Sequence, residues 1–172
     1  MNLELGSSEK RMPNWVTVDR DIRADICTDL SQGIPFPDGG VDQIYSSHLL
    51  EHFYYPDMRN LLLECYRVLK LGGIFKVAVP NMRIYIDAYV KEDKFEIPEQ
   101  SIYRPAFHFF SKIDYVNYMA YLDGIHRFMF DEENLPRIIA DVGFKNVTIR
   151  PFELGLDLES RRYESIYAGG VK

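Results

Sequence analysis

The stretch PDMRNLLLECYRVLKLGGIFKVAVP, residues 56–80, holds a helix, a stop and a buried strand in succession. Pro56 and Asp57 suit a first helical turn, where proline loses no hydrogen bond and an acid meets the positive end of the helix. Leu62, Tyr66 and Leu69 recur at helical spacing beside Leu61, Cys65 and Val68, so the pattern predicts a helix over 56–70. Arg67 and Lys70 suit its last turn, and Gly72 can take the left-handed stop. Ile74 to Val79 then reads as a strand apolar enough to be buried on both faces, ended by Pro80.

Working outward, the same alternation of strand and helix continues. Leu3-Glu4-Leu5, Trp15 to Val18, the weaker Ala24 to Thr28, and Val41 to Tyr45 read as strands. Each ends in small or polar residues: Gly6-Ser7-Ser8, Asp19, Asp29 and Ser46-Ser47-His48. Towards the other end, Glu132 to Val142 reads as a helix stopped by Gly143, followed by strands over Phe144 to Arg150 and Tyr163 to Ala168. The last two strands have no helix between them and are expected to pair antiparallel. The chain is thus expected to be one α/β domain over residues 1–172, with a mostly parallel sheet. Residues 82–123 interrupt the pattern with an insertion dense in tyrosine and phenylalanine.

Composition narrows the function classes. The 172 residues carry a formal net charge of −6 and are 47% hydrophobic, which fits a folded globular chain and not a dedicated nucleic-acid binder with a basic face. Two cysteines, Cys27 and Cys65, are too few for a disulfide framework and suggest a reduced compartment. No apolar run has the length of a membrane span and the first residues do not form a secretory signal, so a soluble cytoplasmic protein is expected.

In an open α/β sheet, ligands bind beyond the carboxyl ends of the strands, near the point where strand order reverses. Gly6 permits close approach of backbone to a ligand there. A carboxylate ending the second strand, Asp19, is placed to accept from ribose hydroxyls, and one ending the third, Asp29, from an adenine amino group. Acids in that order describe an adenosine pocket, without separating NAD, ATP and S-adenosylmethionine.

Three strings carry a family resemblance: Ile34-Pro35-Phe36-Pro37-Asp38-Gly39, Ser47-His48-Leu49-Leu50-Glu51-His52 and Arg67-Val68-Leu69-Lys70-Leu71-Gly72-Gly73. With Glu4-Leu5-Gly6 and Val18-Asp19 they resemble the class I S-adenosylmethionine-dependent methyltransferases, in particular the short "type 11" group beginning directly at the first strand. The resemblance implies a Rossmann-like fold, S-adenosyl-L-methionine as cofactor and methyl transfer to an unidentified small-molecule or sugar-type acceptor. It implies that Glu4 supports the glycine loop, and that Gly6 and Ser7 pass under the methionine part of the cofactor. Asp19 would hold the ribose and Asp29, with Leu30, the adenine. Ser47 would lie against the methionine part, and Ile34 and Pro35 beside the adenine. Two departures stand out. Ser8 replaces a glycine of the family's Gly-x-Gly-x-Gly, and the eight positions from Ser7 to Trp15 leave no room for the usual first helix.

Methyl transfer needs orientation, and a base only when the acceptor must lose a proton. His48 and His126 are the candidate bases, with Asn81 as a group to orient the acceptor. His48-x-x-x-His52 with no further ligand in the sequence is not a metal signature, and no metal is expected. The aromatic insertion is expected to shape the acceptor pocket, to close a small core of its own, or to pair two copies of the chain as a homodimer. The alternative is a non-catalytic protein on the same fold, acting as a binding or partner subunit. A nicotinamide-dependent enzyme is disfavoured because the Gly-x-Gly-x-x-Gly and its helix are missing.

Overall fold

A computed structural model describes residues 1–7, 9, 12–91 and 110–172. Seven strands form one sheet: β1 (Asn2–Leu5), β2 (Trp15–Asp19), β3 (Ile26–Cys27), β4 (Val41–Ser47), β5 (Leu69–Pro80), β6 (Lys145–Ile149) and β7 (Ser165–Val171). Their spatial order is β3-β2-β1-β4-β5-β7-β6. The pairs β1–β2, β1–β4, β2–β3 and β4–β5 are parallel. The pairs β5–β7 and β6–β7 are antiparallel, as the absence of a helix between the last two strands implied. Strand order reverses between β1 and β4, which places the switch point beside Gly6 and Ser47.

Among the described residues four α-helices accompany the sheet: α1 (Tyr55–Val68), α2 (Met82–Lys91), α3 (Ile113–Tyr121) and α4 (Asn134–Asp141). Helix α1 buries Met58, Leu61, Leu62, Cys65 and Val68, one stripe at helical spacing, against the central strands. Its core partners include Leu3, Leu5, Ile44, Phe75 and Val77, with Leu135 and Ile139 from α4. Burial of such side chains is worth about 1.5–3 kcal/mol each, so this shared core is what holds strand ends and loops in register.

The helix stops earlier than the sequence suggests. Leu69 is already extended (φ −67°, ψ 141°), and Lys172 donates from Nζ to the carbonyls of Arg67 and Leu69 at 3.0 and 2.8 Å. A cation thus closes the negative helix end. Gly72 (φ 78°) serves a bend within β5 instead, where the pairing with β4 shifts between Val41↔Leu69 and Gln43↔Ile74.

Arg67 of α1 also fixes the turn-rich 34–38 segment. Its Nη2 donates to the Ile34 carbonyl and its Nη1 to the Phe36 carbonyl, both at 2.9 Å, while Asp38 and Glu64 accept at 2.7 Å. Those partners hold the guanidinium more strongly protonated than usual. The "Pro-Phe-Pro-Asp-Gly" and "Arg-Val-Leu-Lys" strings are therefore the two halves of one clamp.

The interrupted region contains two helices that its sequence pattern does not announce. Met82, Tyr85 and Met119 form a separate small core with Tyr115 and Val116 alongside, so α2 and α3 pack on each other. Tyr85 is fully buried and donates to Glu164 Oε2 at 2.6 Å, tying the pair to the start of β7. Tyr89, Phe110 and Tyr121 remain exposed. The expectation for Ser8, and that for the aromatic insertion over 92–109, lie outside the described residues. No helix among the described residues is long and apolar enough to cross a membrane.

Candidate active site

The carboxyl ends of β1, β2 and β4 open onto a cleft of about 410 Å3 lined by Gly6, Asp19, Asp29, Leu30, His48 and His52, among others. That volume lies in the range of small-molecule sites, about 300–1,000 Å3. A second cavity of about 250 Å3 also touches Gly6, and adds Glu4, Ser7, Ser47, Leu158 and Arg161. The two hollows meet at the glycine of the first strand end. Glu4, Gly6, Ser7, Asp19, Asp29, Leu30 and Ser47 each line one or the other, while Ile34 and Pro35 line neither.

Local structure explains why these residues face the hollows. Gly6 turns the chain with φ +76°, and an added Cβ would lie 2.9 Å from Leu49 Cδ1. The backbone can pass there only without a side chain. Asp19 ends β2 and accepts the Asp21 amide at 2.8 Å through Oδ1, which orients the carboxylate and leaves Oδ2 on a residue of the cleft wall. Asp29 caps the short turn Leu30–Gln32 by accepting the Ser31 amide at 2.9 Å. That hydrogen bond holds its carboxyl below the usual range, so it is ionised at neutral pH. Ile34 is buried in the main core and Pro35 is exposed. That end of the cleft is instead walled by Leu30 and Ser31, next to Asp29.

His48 sits on the cleft wall with φ +51°, a conformation uncommon for residues with a Cβ and concentrated at functional positions. Its amide donates to the Ala78 carbonyl at 2.8 Å. Its Nε2 lies 2.8 Å from Ser165 Oγ, which itself donates to the Arg161 carbonyl, so Nε2 carries the proton. Burial first, then the charge of Arg161, pushes His48 well below its ordinary pKa, and the ring is neutral at pH 7. Nδ1 lies 3.6 Å from Glu51 Oε1.

His126 is buried but lines neither hollow. It packs edge-on against His52, ring centroids 5.2 Å apart. Burial depresses the pKa of both rings, so they too favour the neutral form. Glu51, between them, is 1% exposed, and desolvation raises its carboxyl to about 8. Asn81 lines neither hollow. Its Oδ1 accepts from the Arg83 amide at the start of α2 and its Nδ2 donates to Glu132, so both ends of the amide serve as structural ties.

Two residues of this region escape a reading of the sequence. Arg161 reaches the second cavity from a segment with no strand or helix signal. Glu51 is visible in "Ser-His-x-Leu-Glu-His", but its burial depends on the distant Arg127 and Phe128, whose amides both donate to the Glu51 carbonyl.

Comparison with known proteins agrees with this geometry. Residues 9–77 match the family described as a methyltransferase domain. A probable S-adenosylmethionine-dependent methyltransferase of Mycolicibacterium smegmatis is 40% identical over 48 residues, which are 28% of this chain and 18% of that protein. A methyltransferase structure from Archaeoglobus fulgidus superposes with a TM-score of 0.61 at 17% identity, covering 99% of this chain and 85% of the other. A Haemonchus contortus phosphoethanolamine N-methyltransferase with S-adenosyl-L-methionine gives 0.62 at 13% identity, over 99% and 48% of the two chains. A Haloferax volcanii putative methyltransferase in complex with a methyltransferase activator gives 0.55 at 15% identity, over 99% and 81%. At these identities the superpositions establish a shared fold.

Proposed function

We propose that this chain, which has the class I S-adenosylmethionine-dependent methyltransferase fold and matches the methyltransferase-domain family over residues 9–77, binds S-adenosyl-L-methionine and transfers its methyl group. The observation that carries this reading is the joint placement of Gly6, Asp19 and Asp29 around one cleft at the switch point. When bound, the cofactor supplies an electrophilic methyl group. The protein's part is to hold, orient and desolvate. Asp19 accepts the ribose hydroxyls, Asp29 and Leu30 bracket the adenine, and Glu4, Gly6, Ser7 and Ser47 receive the methionine end. The residues fit the group: a left-handed glycine at the strand end, where a Cβ would strike Leu49, and a carboxylate already oriented by the Asp21 amide.

For an acceptor that must lose a proton, the arrangement favours His48 over His126, because both rings favour the neutral form and only His48 lines the cleft. The acceptor we propose is a small molecule, with a sugar-type hydroxyl compound as the first class to screen. Exposed Tyr89, Val90, Phe110 and Tyr121 on and beside α2 and α3 support a homodimer through this region. Light scattering of the purified chain is expected to give twice its 20.1 kDa mass, and a monomer at all concentrations removes that part of the proposal. Cofactor identity is tested by equilibrium dialysis with methyl-labelled S-adenosylmethionine. Retention should be competed by S-adenosylhomocysteine and not by NAD. Competition by NAD, or no retention, refutes the assignment.

A further inference from the structure

Glu51, His52 and His126 bring one carboxylate and two imidazoles together, their ligand atoms all within 4.8 Å of one another. The first two are neighbours in the chain, while His126 arrives from the loop after α3. Both imidazoles are already oriented. His126 Nδ1 donates to the Met119 carbonyl at 2.7 Å, and His52 Nδ1 lies 3.4 Å from the Ile125 carbonyl. That tautomer leaves the lone pair of each ring on Nε2. Metal-binding histidines show the same arrangement, with the second ring nitrogen donating to a backbone carbonyl and fixing the ring.

The carboxylate needs a partner. Glu51 is 1% exposed, and neither of its oxygens is hydrogen-bonded among the described residues. Its Oε1 lies 3.9 Å from His52 Nε2. A buried carboxylate with no donor is costly in an apolar wall. Beside it lies a cavity of about 10 Å3 bounded by Glu51, His126, Met119 and Phe128, close to the size of one water-sized sphere. His52 belongs to the wall of the larger cleft.

We propose that Glu51, His52 and His126 form a binding site for one divalent transition-metal cation of the zinc or iron(II) class, at the boundary of the large cleft. Two imidazoles and one carboxylate suit such borderline ions, whereas magnesium and calcium favour all-oxygen shells. Three protein ligands leave a coordination position open, the pattern of catalytic and not structural sites. Of the three ligands, His52 also lines the large cleft. Bond lengths of about 2.0–2.2 Å require the donors to close up by roughly 1–1.5 Å, within the reach of side-chain rotation. His48 of the pair His48-x-x-x-His52 is not among the three ligands; the fold brings His126 to His52 instead.

The test uses the whole chain, stripped with a chelator and titrated with Zn2+ by calorimetry and with Co2+ by visible absorption. One equivalent should bind, and Co2+ should develop ligand-field bands. Glu51→Gln and His126→Gln should each weaken binding at least about tenfold. His52→Gln, at a side chain 29% exposed, provides a variant in which folding is least at risk and should show the same loss. Asp19→Ala should bind the ion normally, which separates this site from the cofactor assignment. No saturable binding to the wild type overturns the proposal and leaves Glu51 as a buried protonated acid. Unchanged affinity in the His52 and Glu51 variants also overturns it, by placing the ion elsewhere.

Discussion

Replacing Asp19 by alanine is expected to weaken S-adenosylhomocysteine binding by about 1.5–3 kcal/mol, roughly 10- to 150-fold, the range for hydrogen bonds to an ionised group. The carboxylate ends β2 at the cleft wall and is held by the Asp21 amide at 2.8 Å, so little ordering remains to oppose binding. The substitution removes a charge from a partly exposed position and leaves the core intact, so the fold should survive. Calorimetry on the wild type and variant decides it. A folded variant with unchanged affinity would take Asp19 out of the site.

The largest effect on stability is expected at Asp157. Its carboxylate is fully buried and receives two parallel bonds from Arg150, at 2.6 and 2.7 Å. It also accepts from the buried Tyr45 hydroxyl at 3.0 Å and from the Glu153 amide at 2.7 Å. Asp157→Ala takes the carboxylate from a largely buried guanidinium and removes the acceptor of the Tyr45 hydroxyl. Breaking such a pair costs about 3–5 kcal/mol, a large share of the 5–15 kcal/mol that usually holds a domain. Urea denaturation should show this as a lowered midpoint at unchanged slope. The consequence reaches the site, because the same segment carries Leu158 and Arg161 to the second cavity. Asp157→Asn, which keeps shape and one acceptor, should lose less. A loss below about 1 kcal/mol in the alanine variant would mean that Arg150 finds another partner, and that this network does not hold the segment.

Much of this arrangement was legible in the sequence, for reasons that lie in particular residues. Strand ends were readable because Gly6, Asp19, Asp29 and Ser47 break apolar runs with residue types that strands disfavour. The helix at 56–68 was readable from its buried stripe, and the antiparallel finish from the missing crossover helix. The end of α1 was not, because Lys172, distant in sequence, caps it and allows β5 to begin at Leu69. Helices α2 and α3 were hidden because tyrosines occupy buried and exposed faces alike. Tyr85 is inside with its hydroxyl on Glu164, while Tyr89 faces out. Asn81 was singled out by its place after β5, and its bonds to the Arg83 amide and to Glu132 depend on where α2 begins. Glu51 and His126 become neighbours only through tertiary contacts, the Arg127 and Phe128 amides on the Glu51 carbonyl and the Met119 carbonyl on His126. No spacing rule connects residues brought together in that way.

The proposed cofactor lies across the ends of β1, β2 and β4. Backbone hydrogen exchange with and without saturating S-adenosylhomocysteine tests this placement most directly. Slower exchange is predicted at Leu5 to Ser7, at Thr28 to Ser31 and at Ser47 to Leu49, the backbone segments that line the two hollows, with little change in β6 and α4. Protection confined to β6, α4 or the α2–α3 pair, or no protection at saturation, would contradict it.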